Sequence, residues 1–160
     1  MWFLLLCAFG LIASGLNFLV FGYPKEINEI ARILLLGQFI VTFGLVAIIG
    51  VVTNIFFTDT FTKKIKWPEG AFQIKYGFAQ LCLGVMGVMA FWFQGNFWAA
   101  TLINMYMYGL SGLWTHTQDM LNNKKIDRDN VSNIIMNIVY QIFITILSVL
   151  VGNVWVTIQS

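Results

Sequence analysis

The groups able to do chemistry in this chain of 160 residues are few, and they gather at one place. His116 is the only histidine; Asp119 follows three residues later and Met120 four. On a helix these three share one face. An imidazole beside a carboxylate can relay a proton or hold a ligand, and the structural alternative is a histidine bonding a loop carbonyl. Paired carboxylates, a Ser/His/Asp set, a glycine-rich phosphate loop and a CxxC motif are all absent from the sequence. Met86, Met89, Met105 and Met107 offer soft sulfur, but one histidine without a cysteine beside it favours gap-filling over copper ligation. No metal site and no cofactor is named by these residues.

Neutral polar side chains are more plentiful and fall at helical spacing. Gln73, Gly77, Gln80, Gly84 and Gly87 form one narrow stripe. Thr101, Asn104, Tyr108, Ser111 and Thr115 form a second, with Gly109, Gly112 and His116 adjacent. Asn133, Asn137, Gln141, Thr145, Ser148 and Gly152 form a third. Earlier, Gly10, Ser14 and Asn17 are regular, whereas Gln38, Thr42, Thr53 and Asn54 are not. Such stripes either glue helices together or line a polar cavity. As ligand-binding candidates the chain offers His116, Asp119, Gln80, Asn104, Tyr108, Asn137 and Gln141.

The elements that must position them are set by charge. All nine Lys/Arg and seven Asp/Glu fall within 25–32, 59–75 and 119–129. Between them lie five uncharged apolar stretches, Trp2–Gly22, Ile33–Phe57, Tyr76–Phe93, Phe97–Trp114 and Val131–Trp155. Each approaches the ~20 residues that cross a hydrocarbon core as a helix. A soluble helix of that length carries a charged outer face, and these carry none. The expected fold is a single all-α transmembrane bundle over 1–160 with five spans, or a four-helix core plus one peripheral span. The stripes of helices three, four and five are expected to face one another. The composition, 59% hydrophobic and 10% charged, agrees.

The first stretch lacks a basic n-region and outruns a secretory signal, so a retained span is expected. Seven basic residues (Lys63, Lys64, Lys66, Lys75, Lys124, Lys125, Arg128) fall on one side of a five-span topology, against Lys25 and Arg32 on the other. That places the N-terminus in the cytoplasm and the C-terminus outside. Trp2, Trp67, Trp92, Trp98, Trp114 and Trp155 all sit near span ends, as interfacial anchors do. Pro24 and Pro68, each followed by acids, mark helix starts. The run 59–67 reads as a basic surface-lying segment or a solvated loop. Gln94-Gly95-Asn96 reads as a turn so short that helices three and four form a tight hairpin. Cys7 and Cys82 read as buried packing residues.

A resemblance rests on particular strings. Ala71-Phe72-Gln73, Gly77-Phe78-Ala79-Gln80-Leu81, Gly84-Val85-Met86-Gly87 and Trp92-Phe93-Gln94-Gly95-Asn96-Phe97-Trp98-Ala99-Ala100-Thr101 resemble a family of small prokaryotic membrane proteins known only as a domain of unknown function. The resemblance covers roughly residues 71–145 and takes in His116 and the Asn130, Asn133 spacing. The hairpin also resembles DoxX-like four-helix membrane proteins, some of which are accessory subunits of respiratory or oxidoreductase complexes. Where that pattern has an acidic residue before the glycine of helix three, this chain has Lys75.

Function is expected to be non-catalytic: an accessory or assembly subunit of a larger membrane complex. The alternatives are small-molecule, quinone or ion binding in a polar cavity, and a component of a membrane redox enzyme. The expected partners are the lipid bilayer and other membrane subunits or further copies of the chain. A net charge of +2 gives no reason to expect nucleic acid.

Overall fold

A computed structural model of the chain describes residues 2–57, 71–124 and 126–155. Those residues form five helices and no strand, as the charge pattern predicts. In chain order they are α1 (Trp2–Phe21), α2 (Ile27–Phe56), α3 (Ala71–Met89), α4 (Asn96–Asn123) and α5 (Arg128–Val151). Three of them, α1, α2 and α5, are long and apolar enough to cross a membrane, not the five expected. The shortfall has a physical cause. Gln73, Lys75, Gln80 and three glycines dilute α3, and Asn104, three tyrosine or serine hydroxyls and two glycines dilute α4.

Several boundaries differ from expectation. Helix α2 starts at Ile27, after an extended Glu26, and not at Pro24. Helix α4 continues past Trp114 to Asn123, because nothing in that stretch breaks a helix. It stops where Lys124 turns left-handed at φ 48°. Asp127 then caps α5 at once, accepting from Asp129 N at 3.0 Å and Asn130 N at 2.9 Å. The expected connector over 115–130 is therefore mostly helix. The surface-lying run 59–67, Trp67 and Pro68 lie outside the described residues, as does the side chain of Trp2.

Helix α2 holds two π-helical segments, Gln38–Phe43 and Val52–Phe56. They explain its irregular polar pattern. Its buried residues include Ala31, Leu35, Phe39, Phe43 and Ala47, spaced by fours. A pure α-helix drifts ~40° for every four residues. A π segment widens the turn by about a residue, and so holds that series on one face.

The α3 stripe faces α2, which corrects the expectation that it would meet α4 and α5. A Cβ on Gly87 would strike the carbonyl oxygen of Phe39, and one on Gly84 would strike Ala47. Gly77 abuts Ile55 and Asn54. Glycine here lets two backbones meet. Helix α1 docks on α2 similarly: Gln38 Nε2 donates to Cys7 O at 3.3 Å and Thr42 Oγ1 to Leu6 O at 3.1 Å. Tyr140 of α5 closes this layer by donating to Gln38 Oε1 at 3.2 Å.

Helix α4 packs along α5, and their stripes do meet, through Gly109, Asn137 and Gln141. Helices α3 and α4 run antiparallel but share little direct contact, so the hairpin is not a tight one. Its turn covers residues 90–95, wider than expected, and Gly95 (φ +64°) leads into α4. Trp98 pins that turn: it is 2% exposed, donates Nε1 to Ala90 O at 2.8 Å and meets Phe39 edge-on. It is a core residue and not an interfacial anchor. Trp92 and Trp114 are exposed as anchors are, and Trp155 stacks on Tyr106. Cys7 is buried as expected, whereas Cys82 points outward.

Candidate functional site

Tyr108, Gly112 and His116 follow one another at intervals of four along α4, so they share a face. Gly112 has no side chain to fill the space between the other two. A cavity of about 160 Å³ opens there. Helix α4 lines it with these three and Met105, α5 with Asn133, Met136 and Asn137, α3 with Tyr76, and α1 with Phe3.

Two hydrogen-bonded relays end on this cavity. The first starts in α2. Asn54 Nδ2 donates to Gly50 O at 3.0 Å and to Gln80 Oε1 at 2.9 Å. Gln80 Nε2 then donates to the Tyr108 hydroxyl at 2.8 Å, and the Tyr76 hydroxyl donates to the same oxygen at 3.3 Å. The two phenol rings lie nearly parallel, 6.2 Å apart.

The second relay lies where α4 and α5 are joined. Asn130 is buried, and its Nδ2 donates to Asp119 Oδ2 and to Asp127 Oδ2, both at 2.6 Å. Its Oδ1 lies 2.7 Å from His116 Nδ1. Asn123 Nδ2 adds a donor to Asp119 Oδ1 at 2.8 Å.

The remaining candidates are placed around this arrangement. Asn137 lines the cavity and is held by donating Nδ2 to Gly109 O at 2.8 Å. Gln141 sits one turn behind it, donating to Met105 O at 3.3 Å, while its Oε1 is buried without a partner among the described residues. Gln80 stands behind Tyr108. Asn104 is turned elsewhere, donating to Met86 Sδ at 3.3 Å. Asp119 shares a face with His116 as expected, yet the two meet only through Asn130.

Tyr76, Asp127, Phe3 and Met136 were not singled out by type and spacing, while Asn54 was noted only as an irregular polar residue and Asn130 only within the resemblance. Asp127 carried a signal, since an aspartate just before an apolar helical run is a favoured N-cap. Tyr76 and Asn54 carried none, because what matters is their contact across helices. Among the described residues no cluster of His, Cys, Asp and Glu could hold a metal ion.

A family model described as a family of unknown function, DUF6790, matches residues 1–154. The chain belongs to this family. DUF6790 thus takes in α1 and α2 as well as the region over 71–145 expected from the sequence strings. Phe3, which lines the cavity, and Asn54, which starts the first relay, lie within the DUF6790 match. No curated protein and no solved structure matches the chain.

Proposed function

We propose that the chain is a five-span integral membrane protein that binds a small neutral molecule in the cavity beside α4, without transforming it. The observation that carries this reading is the cavity itself, with polar ends held by relays and apolar walls from Phe3, Met105 and Met136. An engineered apolar cavity of about 150 Å³ takes up benzene, so a single-ring molecule is of the right size. Paired groups for acid–base or nucleophilic chemistry are not gathered there, which favours binding over catalysis.

Two further spans, α3 and α4, are part of the proposal. Their outward faces support it: Phe72, Phe78 and Val85 on α3, and Ile103, Met107 and Leu110 on α4, are exposed and apolar. Gln73 and Gln80 on α3 and Thr101 on α4 lower mean hydropathy but are buried, where lipid is not met. The exposed Lys75 lies near the start of α3. The excess of basic residues at 63–75 and 124–128 supports a cytoplasmic N-terminus and an external C-terminus. A cysteine placed at position 64 that reacts with impermeant reagent only from outside would overturn this topology. The accessory-subunit reading gains no particular contact, since exposed apolar faces suit lipid and subunit equally. The likeness to DoxX-like proteins adds no residue to the site.

The test is native mass spectrometry of the full chain purified in mild detergent, beside a folded Gly112→Met variant that fills the cavity. A small molecule retained by the unmodified chain and lost from the variant is the expected result. Identical spectra showing only lipid and detergent would overturn ligand binding.

A further inference from the structure

The two relays have fixed directions, and together they dictate what the ligand must present. A carbonyl oxygen can only accept, so the Asn54 atom on Gly50 O is its NH₂. The Gln80 atom that meets Asn54 is therefore Oε1, and the Gln80 atom on Tyr108 is an NH₂. The Tyr108 oxygen accepts from Gln80 and again from Tyr76, which occupies both lone pairs. Its own proton is left to donate into the cavity.

The second relay runs in the opposite sense. Two carboxylates accept from one Asn130 nitrogen, which uses both of its hydrogens. Asn130 Oδ1 must then accept from His116, so the histidine proton sits on Nδ1. In the neutral imidazole, Nε2 keeps a lone pair, and it has no partner among the described residues. The cavity thus has a donor at Tyr108 and an acceptor at His116, two helical turns apart on α4. That is a rise of ~12 Å between their backbones.

Resting on the ligand-binding reading above, we infer that the ligand is a neutral single-ring compound with a carbonyl on one edge and a hydroxyl on the opposite edge. The carbonyl accepts from Tyr108 O–H, and the hydroxyl donates to His116 Nε2. A ring substituted at opposed positions carries one oxygen on each edge, so it can offer one to each group, with a hydrogen bond of ~2.8 Å at each. Tyr76, Phe3 and the two methionines supply the apolar walls. A charged ring acid would bring a carboxylate into a cavity whose described lining holds no lysine or arginine to pair with it.

The experiment uses the full chain in phosphatidylcholine nanodiscs, with empty nanodiscs as the control for partitioning. The probes are para-hydroxyacetophenone, para-methoxyacetophenone (no donor), para-ethylphenol (no carbonyl) and para-hydroxybenzoate (anionic), measured by titration calorimetry. One lost hydrogen bond is worth about tenfold in affinity. The first probe should bind about tenfold more tightly than each of the others. Tyr108→Phe should weaken only the carbonyl-bearing neutral probes, and His116→Phe only the hydroxyl-bearing ones, with helix content and melting unchanged. Equal affinity for all four, or preference for the anion, would overturn this ligand class and leave the cavity reading standing. Failure of every probe, while a different small molecule co-purifies, has the same meaning. Failure of every probe with nothing co-purifying overturns both.

Discussion

Amides and glycines line both the α2–α3 seam and the α4–α5 face, yet the two regions use them differently. On α3 two of the three glycines meet backbone or a short rigid side chain, Gly87 the carbonyl of Phe39, Gly84 Ala47 and the carbonyl of Phe43, while Gly77 meets Ile55 and Asn54. On α4 the glycines meet only amide tips, Gly109 those of Gln141 and Asn137, and Gly112 that of Asn137 at 2.9 Å. The first arrangement excludes space and the second leaves it. A stripe of small and polar residues is therefore glue where its neighbour is backbone, and a site where its neighbour is the end of a movable side chain.

That contrast is most open to attack at Gly87. Gly87→Leu would drive a side chain into the Phe39 carbonyl and Phe43. Overpacking typically costs ~1–3 kcal/mol, and here no side-chain rotation relieves it. The expected result is a lower unfolding midpoint in denaturant and reduced yield of folded protein. A Gly87→Leu chain as stable as the parent would mean that the α2–α3 seam is not closed.

The relay at the α4–α5 junction should rank second. In Asn130→Ala, Asp119 and Asp127 lose the NH₂ between them, and His116 Nδ1 loses its acceptor. An unsatisfied group costs ~1–3 kcal/mol, but the Asp127 cap on Asp129 N and residue 130 N survives. Stability should fall by an amount in the lower part of that range. Probe binding that depends on His116 should be lost as well, since the ring is no longer held in one tautomer. Unaltered binding in Asn130→Ala would separate His116 from its relay.

How much of this could be read from residues depends on which rule decided each feature. Charges are tolerated only at the ends of apolar helices, so five helices were legible. The α3 stripe was legible as buried, but periodicity fixes a face and not its neighbour, and α2 was hidden as that neighbour. Its own face was unreadable because two π segments replace a 3.6-residue period with steps of four. The connector over 115–130 was misread since charge was equated with loop, whereas α4 keeps its helix to Asn123. At the site, His116, Tyr108, Asn137 and Gln80 stood out by type and register. Tyr76 and Asn54 did not, because their role exists only through contacts between helices.

Gln38 should rank third, and it tests the closed side by chemistry in place of volume. Gln38→Leu keeps the size of the side chain but removes the bond to Cys7 O and the acceptor for Tyr140. Polar contacts between helices in lipid average ~0.6 kcal/mol and reach ~1.7 kcal/mol. A loss within that range, measured by denaturant titration and without change in probe affinity, would show α1 docking to be structural. A change in probe affinity would instead tie α1, through Phe3, to the cavity.

The smallest effect on stability, and the sharpest on the contrast, belongs to Gly112→Ala. In a helix interior the exchange of glycine for alanine gains up to ~1 kcal/mol through backbone entropy. Its cost here is contact with Asn137 Nδ2 at 2.9 Å, the end of a side chain that can swing aside. The two nearly cancel, so the melting temperature should stay level or rise slightly. The added methyl nevertheless enters the gap between Tyr108 and His116, and moving Asn137 loosens its bond to Gly109 O. Ligand affinity should fall while the fold holds. The same substitution at Gly87 should do the reverse, lowering stability and sparing affinity for any molecule that survives folding. If both alanine variants shift stability alike and neither moves affinity, the α4 glycine is packing glue and the cavity beside it is incidental.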